Sequence, residues 1–435
     1  MRFLTDRLGV VGAAGYVLLA LAWSWIIPLN GGIDESRHFR YLEIVATEHR
    51  LPAPAEEQAA ISHHPPLHYL LAAPVCLAAR GFGPEATWRA LRLWSVLLGG
   101  VSLWLVYLLL RRIFPEQPRI AQLGVISVGW LPHFLLVCAM ISNDVTAVLT
   151  STLLLFLATL SVMGADGRGR AALAGLAAGL ACLAKHSALV VVPPAGAAVV
   201  LGAWLPRPAA DPEDDPPLAR AFWGALAFGA TFAVTGGLWL INFVGTWGRL
   251  DSDPPWPEMA WPVHTFGTKL VRALGGLYRS TWLQVGWLPG PHSAAPPSWS
   301  SLYPRPDLET PVLALTVPIV LVAVVGTLLC LRRWWRSPET RPRALAVLML
   351  VVAAGLAYAT LTHNAMYVNP GRFEGGRYLL PAVAAYMPLL VIGALGLPGR
   401  WRTAAWAWTP VLLLAMNAIA IWEFYAYLIP TFAPR

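Results

Sequence analysis

Five short polar runs in a mostly apolar chain carry the side chains able to do chemistry. The first is Ile33-Asp34-Glu35-Ser36-Arg37-His38, which follows an apolar run and the turn formers Asn30, Gly31 and Gly32. A helix starting here puts Asp34, His38 and Tyr41 on one face and turns Glu35 away. Asp34 can then meet a substrate as a general base, or it can simply cap the helix. The second run is His63-His64-Pro65-Pro66-Leu67-His68-Tyr69, whose prolines force an extended approach and then permit a helix with polar groups facing inward. Its three histidines suggest zinc, but no His-Glu-x-x-His or paired Cys/His spacing accompanies them.

Asn143-Asp144 stands at the turn between two apolar runs, where it either caps the second run or reaches substrate. Lys185-His186-Ser187 interrupts an apolar stretch from Ala171 to Leu205 that also contains Pro193-Pro194. A lysine there must snorkel to an interface, line a cavity or meet an anion. The fifth run extends from Asn369 to Pro381 and contains Gly375-Gly376-Arg377-Tyr378. The glycines allow a tight turn, which aims Arg377 at a boundary where its guanidinium can fork onto phosphate. Pairing with Glu374 or lipid headgroups is the plainer role. Trp256, Trp261, Trp282 and Trp287 could stack on sugar rings, or serve as an interfacial aromatic belt.

The elements that must position these residues are membrane helices. The 435-residue chain is 57% hydrophobic and 12% charged, with a mean hydropathy of +0.57, too little polar surface for a water-soluble fold. Apolar runs long enough to cross about 30 Å of hydrocarbon are expected near 8–28, 90–110, 121–141, 145–163, 171–185, 188–205, 221–244, 311–331, 344–362, 378–397 and 404–423. The fold class is therefore an all-α membrane protein of about 11 transmembrane helices, organised as one polytopic domain over 1–435. The first run is expected to remain as an anchor rather than leave as a signal peptide.

Two long connections, 29–89 and 245–310, are rich in Pro, Trp and charge. Amphipathic stretches at 34–49 and 266–283 predict helices lying along the membrane surface, and 67–79 is apolar but too short to span. Arginines in the short loops, among them Arg111, Arg112, Arg119, Arg168, Arg170, Arg332, Arg333, Arg341 and Arg400, fall on the side shared with Arg2 and Arg7. That side is expected to be cytoplasmic, with the long loops, most of the histidines and the C-terminus outside. The net charge of +8 fits arginines against anionic lipid and calls for no nucleic-acid partner. The four cysteines are expected to be buried thiols.

The ordered set Asp34-Glu35-x-x-His38, His64-Pro65-Pro66-Leu67-x-Tyr69, Asn143-Asp144, Lys185 and Gly376-Arg377-Tyr378-Leu379-x-Pro381 resembles the GT-C membrane glycosyltransferases. The similarity is to the protein-mannosyltransferase and aminoarabinose-transferase group and its bacterial relatives, and covers most of the chain. It implies a GT-C fold in a bacterial plasma membrane, and an envelope glycosyltransferase using a polyprenyl-phosphate sugar bound from the outer leaflet. The acceptor, whether glycan, lipid or protein, stays open. Asp34 is then the presumed base, with Glu35 a second acid for orienting the site or holding a divalent ion. Arg377 and Lys185 would hold the phosphate, and His38, His64, Tyr69, Asn143, Asp144 and Tyr378 would contact substrate. No cofactor is expected, and a divalent metal stays open. Ala184 departs from the threonine usual before the lysine. A transporter or flippase of lipid-linked sugars is the alternative, although such proteins often show two related halves, which this chain lacks.

Overall fold

The computed structural model describes residues 7–164, 167–205, 215–248, 306–334, 340–360 and 375–423, with short pieces between 274 and 301 and residue 425. Among them eight helices are long and apolar enough to cross a membrane, or nine if one sharply bent pair counts as a span. The chain is an integral, multi-pass, almost wholly helical membrane protein. Its described β-structure is one antiparallel pair, Trp287–Pro289 with Trp299–Ser301. The second long connection and the 266–283 stretch otherwise lie largely outside the described residues, as do Glu374, Trp256 and Trp261. Trp282 is buried in the main apolar cluster rather than placed in a belt.

The first span, Arg7–Ile26, leads through Asn30, at φ 65°, into the short helix Glu35–Glu43, which runs on as a π-turn, Ile44–Glu48. The 14-residue helix Leu67–Arg80 follows, too short to span, and then the 30-residue span Pro84–Ile113. This last helix packs on Asp144–Val162 and on Pro118–Gly129. Asp144–Val162 also packs on Arg168–Ala184, which in turn lies against Pro217–Phe232. Gly175 and Gly179 permit that contact, because a Cβ at either would collide with Phe228, Thr231 or Thr235. Small residues four apart let two membrane helices approach closely where no hydrophobic drive separates lipid from protein.

Two expected straight spans are broken. The 121–141 segment is two helices, Pro118–Gly129 and Pro132–Cys138, bent by 67°. Pro132 has no N–H to continue the ladder. The Val128 carbonyl that Pro132 leaves accepts from the Leu131 N–H at 3.2 Å, the Trp130 carbonyl at the bend accepts from Asn417 Nδ2 at 2.8 Å, and Asn417 Oδ1 accepts from Trp23 Nε1 at 3.0 Å. One asparagine in the last span thus satisfies the break and ties it to the first span, as a backbone in hydrocarbon requires. The 378–397 segment divides into Gly375–Tyr378, a 3-10 turn at Leu380–Ala382 and Val383–Gly393, with Pro381 and Pro388 interrupting the ladder. The Ala171 to Leu205 run breaks at Lys185, which is extended at φ −164°. Pro193 and Pro194 do not break it; they sit in the first turn of Val192–Trp204, where a missing N–H costs nothing.

Candidate active site

Broken and short elements converge at one end of the bundle. The end of Arg168–Ala184, the start of Asp144–Val162, the start of Gly375–Tyr378 and the Glu35–Glu43 helix all supply side chains there. The short-loop arginines lie at the opposite helix ends, where Arg168 meets Asp215 at 2.9 Å and Arg341 meets Glu116.

Asp34 occupies the N-cap position with φ 52°, in the left-handed region, yet its side chain makes no capping bond. Left-handed backbone is uncommon for residues other than glycine, and such strain persists only where surroundings hold it. Its carboxylate is about a third exposed and makes two long ion pairs, Oδ1 to Arg37 at 3.5 Å and Oδ2 to Arg377 at 3.6 Å. Burial pushes its pKa up, but the surrounding positive charge, led by Arg377, outweighs that and holds the carboxyl below its usual range. Asp34 is therefore ionised, reachable and only loosely occupied.

Glu35, expected as a second acid that orients the site or holds a divalent ion, is held differently from Asp34. Its side chain and that of Arg92 are fully buried as a bidentate pair, Nε to Oε1 at 2.8 Å and Nη2 to Oε2 at 2.7 Å. The backbone N–H of Ile141 donates to Oε1 and that of Gly32 to Oε2, each at 3.0 Å. Each oxygen thus accepts two bonds, and none of its acceptor capacity remains for a substrate or an ion. Arg92 also donates to the carbonyls of Ser24, Ile27 and Pro28, closing the end of the first span. Sequence reasoning passed over Arg92, although an arginine early in a membrane helix requires such partners.

The remaining candidates meet. Lys185 Nζ lies 2.7 Å from Asp144 Oδ1, and both side chains are nearly buried. Asp144 Oδ2 accepts from Ser142 at 3.0 Å. Lys185 thus neither snorkels nor stands alone; it is a paired charge, 5.8 Å from the Tyr378 ring. Arg377 Nη2 donates to the Tyr378 hydroxyl at 3.2 Å, which joins the Asp34 and Lys185 neighbourhoods. Asn143 does not cap its helix: its Nδ2 donates to the Ala184 carbonyl at 3.1 Å and faces His64 Nδ1 at 3.4 Å.

An aromatic wall flanks these charges. The Tyr69 hydroxyl sits between His38 Nδ1 at 2.8 Å and His64 Nδ1 at 3.2 Å, and its ring stacks on Tyr41 at 3.6 Å. Burial lowers the His38 pKa to about 3 and that of His64 well below its usual value, so both are neutral near pH 7. His63 bonds Glu57 and His68 bonds Thr146, so neither joins the cluster through a direct bond. Among the described residues no group of three His, Cys, Asp or Glu could hold a metal ion. Arg37 was also missed. It donates to the carbonyls of Glu57 and Gln58, tying the Asp34 turn to the following loop.

The result is a site with two acids, Asp34 and Asp144, three basic side chains paired with them, Arg37, Arg377 and Lys185, and a neutral histidine-tyrosine wall, at one end of a polytopic helical bundle. The chain has the fold of the GT-C superfamily of membrane glycosyltransferases. It aligns with ArnT of Cupriavidus metallidurans, solved with undecaprenyl phosphate bound, over 97% of this chain and 73% of ArnT, at 15% identity and a TM-score of 0.52. The oligosaccharyltransferase of Archaeoglobus fulgidus, solved with zinc and sulfate, aligns over 94% of this chain and 52% of its own, at 13% identity and a TM-score of 0.51. The chain thus spans about half the length of the archaeal protein. The family model for dolichyl-phosphate-mannose-protein mannosyltransferase matches residues 63–210. No curated protein matches the chain in sequence.

Proposed function

We propose that the protein transfers a sugar from a polyprenyl-phosphate donor to an acceptor hydroxyl at the outer face of the membrane, with inversion at the anomeric carbon. The observation that carries this reading is the Asp34 carboxylate held 3.6 Å from the Arg377 guanidinium, beside the Lys185–Asp144 pair. Asp34 takes the proton of the acceptor hydroxyl, whose oxygen attacks the anomeric carbon as the bond to the lipid phosphate breaks. The departing phosphate gains negative charge, and Arg377 and Lys185 are placed to stabilise it. In this scheme the Asp34–Arg377 contact is a resting pair: donor phosphate draws the guanidinium away and leaves the carboxylate to the acceptor. The long contact favours such an exchange, because little hydrogen bonding is lost.

The undecaprenyl phosphate bound by ArnT and the mannosyltransferase family match support a lipid-phosphate donor. Purified protein in lipid nanodiscs, incubated with a panel of radiolabelled polyprenyl-phosphate sugars and acceptors, tests the reading. Label is expected to move to a new product and to remain with donor in Asp34→Asn. Binding of donor without turnover under every condition, together with movement of the lipid-linked sugar between leaflets, would replace transfer by transport.

A further inference from the structure

Hydrogen-bond logic in the aromatic wall determines a proton position. Asn143 Nδ2 donates to the Ala184 carbonyl at 3.1 Å, which fixes the amide orientation, since the flipped amide would set oxygen against oxygen. The same nitrogen has only hydrogens to offer His64 Nδ1 at 3.4 Å, so His64 Nδ1 is an acceptor and its proton sits on Nε2. The Tyr69 hydroxyl, 3.2 Å from that same Nδ1, then shares its one lone pair as the nearer of two donors, since a hydroxyl turned the other way would set lone pair against lone pair. Having spent its one hydrogen, Tyr69 accepts from His38 Nδ1 at 2.8 Å. His38 therefore carries its proton on Nδ1. Its Nε2 is a bare lone pair with no hydrogen-bond partner among the described residues.

His38 stands one helical turn after Asp34 on the same face, and its backbone N–H donates to the Asp34 carbonyl at 2.9 Å. We propose that His38 Nε2 accepts a hydrogen bond from a substrate hydroxyl next to the one that Asp34 deprotonates, and that Asn143, His64 and Tyr69 are positioning residues that keep Nε2 unprotonated. Two neighbouring groups that only accept, one anionic and one neutral, suit a ligand with two adjacent hydroxyl donors, as on a sugar ring. The opposite tautomer would present a donor there and oppose such a ligand. The substrate half of this inference rests on the glycosyl-transfer reading; the tautomer half does not.

Nitrogen-15 NMR of histidine-labelled protein reads the tautomers directly. His38 is expected as Nδ1–H and His64 as Nε2–H, and Tyr69→Phe is expected to mix the His38 tautomers while His64 keeps its own through Asn143. A wild-type His38 protonated on Nε2 would overturn the proposal. For the substrate half, His38→Asn keeps a donor able to reach Tyr69 but has nothing at the Nε2 position. Acceptor KM is expected to rise on the order of 10-fold to 100-fold, with donor affinity unchanged. An acceptor KM equal to wild type in a folded, active His38→Asn protein would sink the hydroxyl contact. Absence of transfer by wild type with every donor would sink the glycosyltransferase reading and the substrate half with it, leaving the tautomers to be judged by NMR alone.

Discussion

Asp34 and Glu35 are adjacent in the chain, yet their carboxylates serve different ends: Asp34 faces Arg377 at 3.6 Å, partly open, while Glu35 is sealed against Arg92 with both side chains at 0% exposure. One peptide unit separates a loosely held anion from a saturated one. The left-handed turn at Asp34 makes the division, and the Glu35–Arg92 pair anchors the helix that begins there.

Asp34→Asn is expected to lower turnover by roughly 10²-fold to 10⁴-fold at saturating donor, with folding and donor binding intact. Asparagine tolerates the left-handed backbone as aspartate does, and no capping bond is lost. What is removed is proton acceptance and the charge in two long ion pairs, to Arg37 and Arg377. Turnover equal to wild type would return Asp34 to a structural role.

Arg92→Leu strands the buried Glu35 carboxylate and is expected to cost about 3–5 kcal/mol of stability. Glu35→Gln retains one carbonyl acceptor and should cost less. Thermal unfolding in detergent checks both. The protein that remains folded should turn over much as wild type, which separates this pair from the chemistry.

Lys185→Ala leaves Asp144 buried without its cation and should destabilise on the same scale. Lys185→Met combined with Asp144→Asn is expected to recover most of the stability but not the donor affinity. Recovery of both would remove Lys185 from phosphate binding. Arg377→Lys should also weaken donor binding, since a point charge cannot reproduce a forked contact.

The pH dependence of kcat/KM follows from the depressed pKa of Asp34. A carboxyl held below its usual range is ionised above about pH 4, so the base is lost only as pH falls through that lower value. His38, at about 3, adds no charge change above that. Between pH 5 and 8 neither group should produce a rising limb. An acid limb centred near pH 6 that vanished in a residual-activity Asp34 variant would contradict the assignment.

Cysteines introduced between 29 and 89 are expected to react with an impermeant reagent added to the periplasmic side of intact cells. The described native thiols, Cys76, Cys138, Cys182 and Cys330, are all buried and give a quiet background. Protection in spheroplasts followed by labelling after lysis would invert the orientation drawn from the arginines.

Composition and run length alone determined that this chain belongs in a bilayer, because hydrocarbon tolerates little except closed helical backbone, and that demand is written locally in apolar stretches. The polar interruptions at Asp34, His64, Asn143, Lys185 and Arg377 were legible for the same reason, since each is costly unless it has a use or a partner. The partners were not legible. Periodicity turned Glu35 away from Asp34 without naming Arg92 as its partner, and it left Lys185 with an interface, a cavity or an anion until Asp144 met it from another helix. The 121–141 run read as one straight span, and only the packing of the last span showed its break and supplied Asn417 to satisfy it. Periodicity reports which way one helix faces. Which charge is neutralised, and which stays open to a substrate, depends on residues brought together from distant parts of the chain, and tertiary packing alone made that choice.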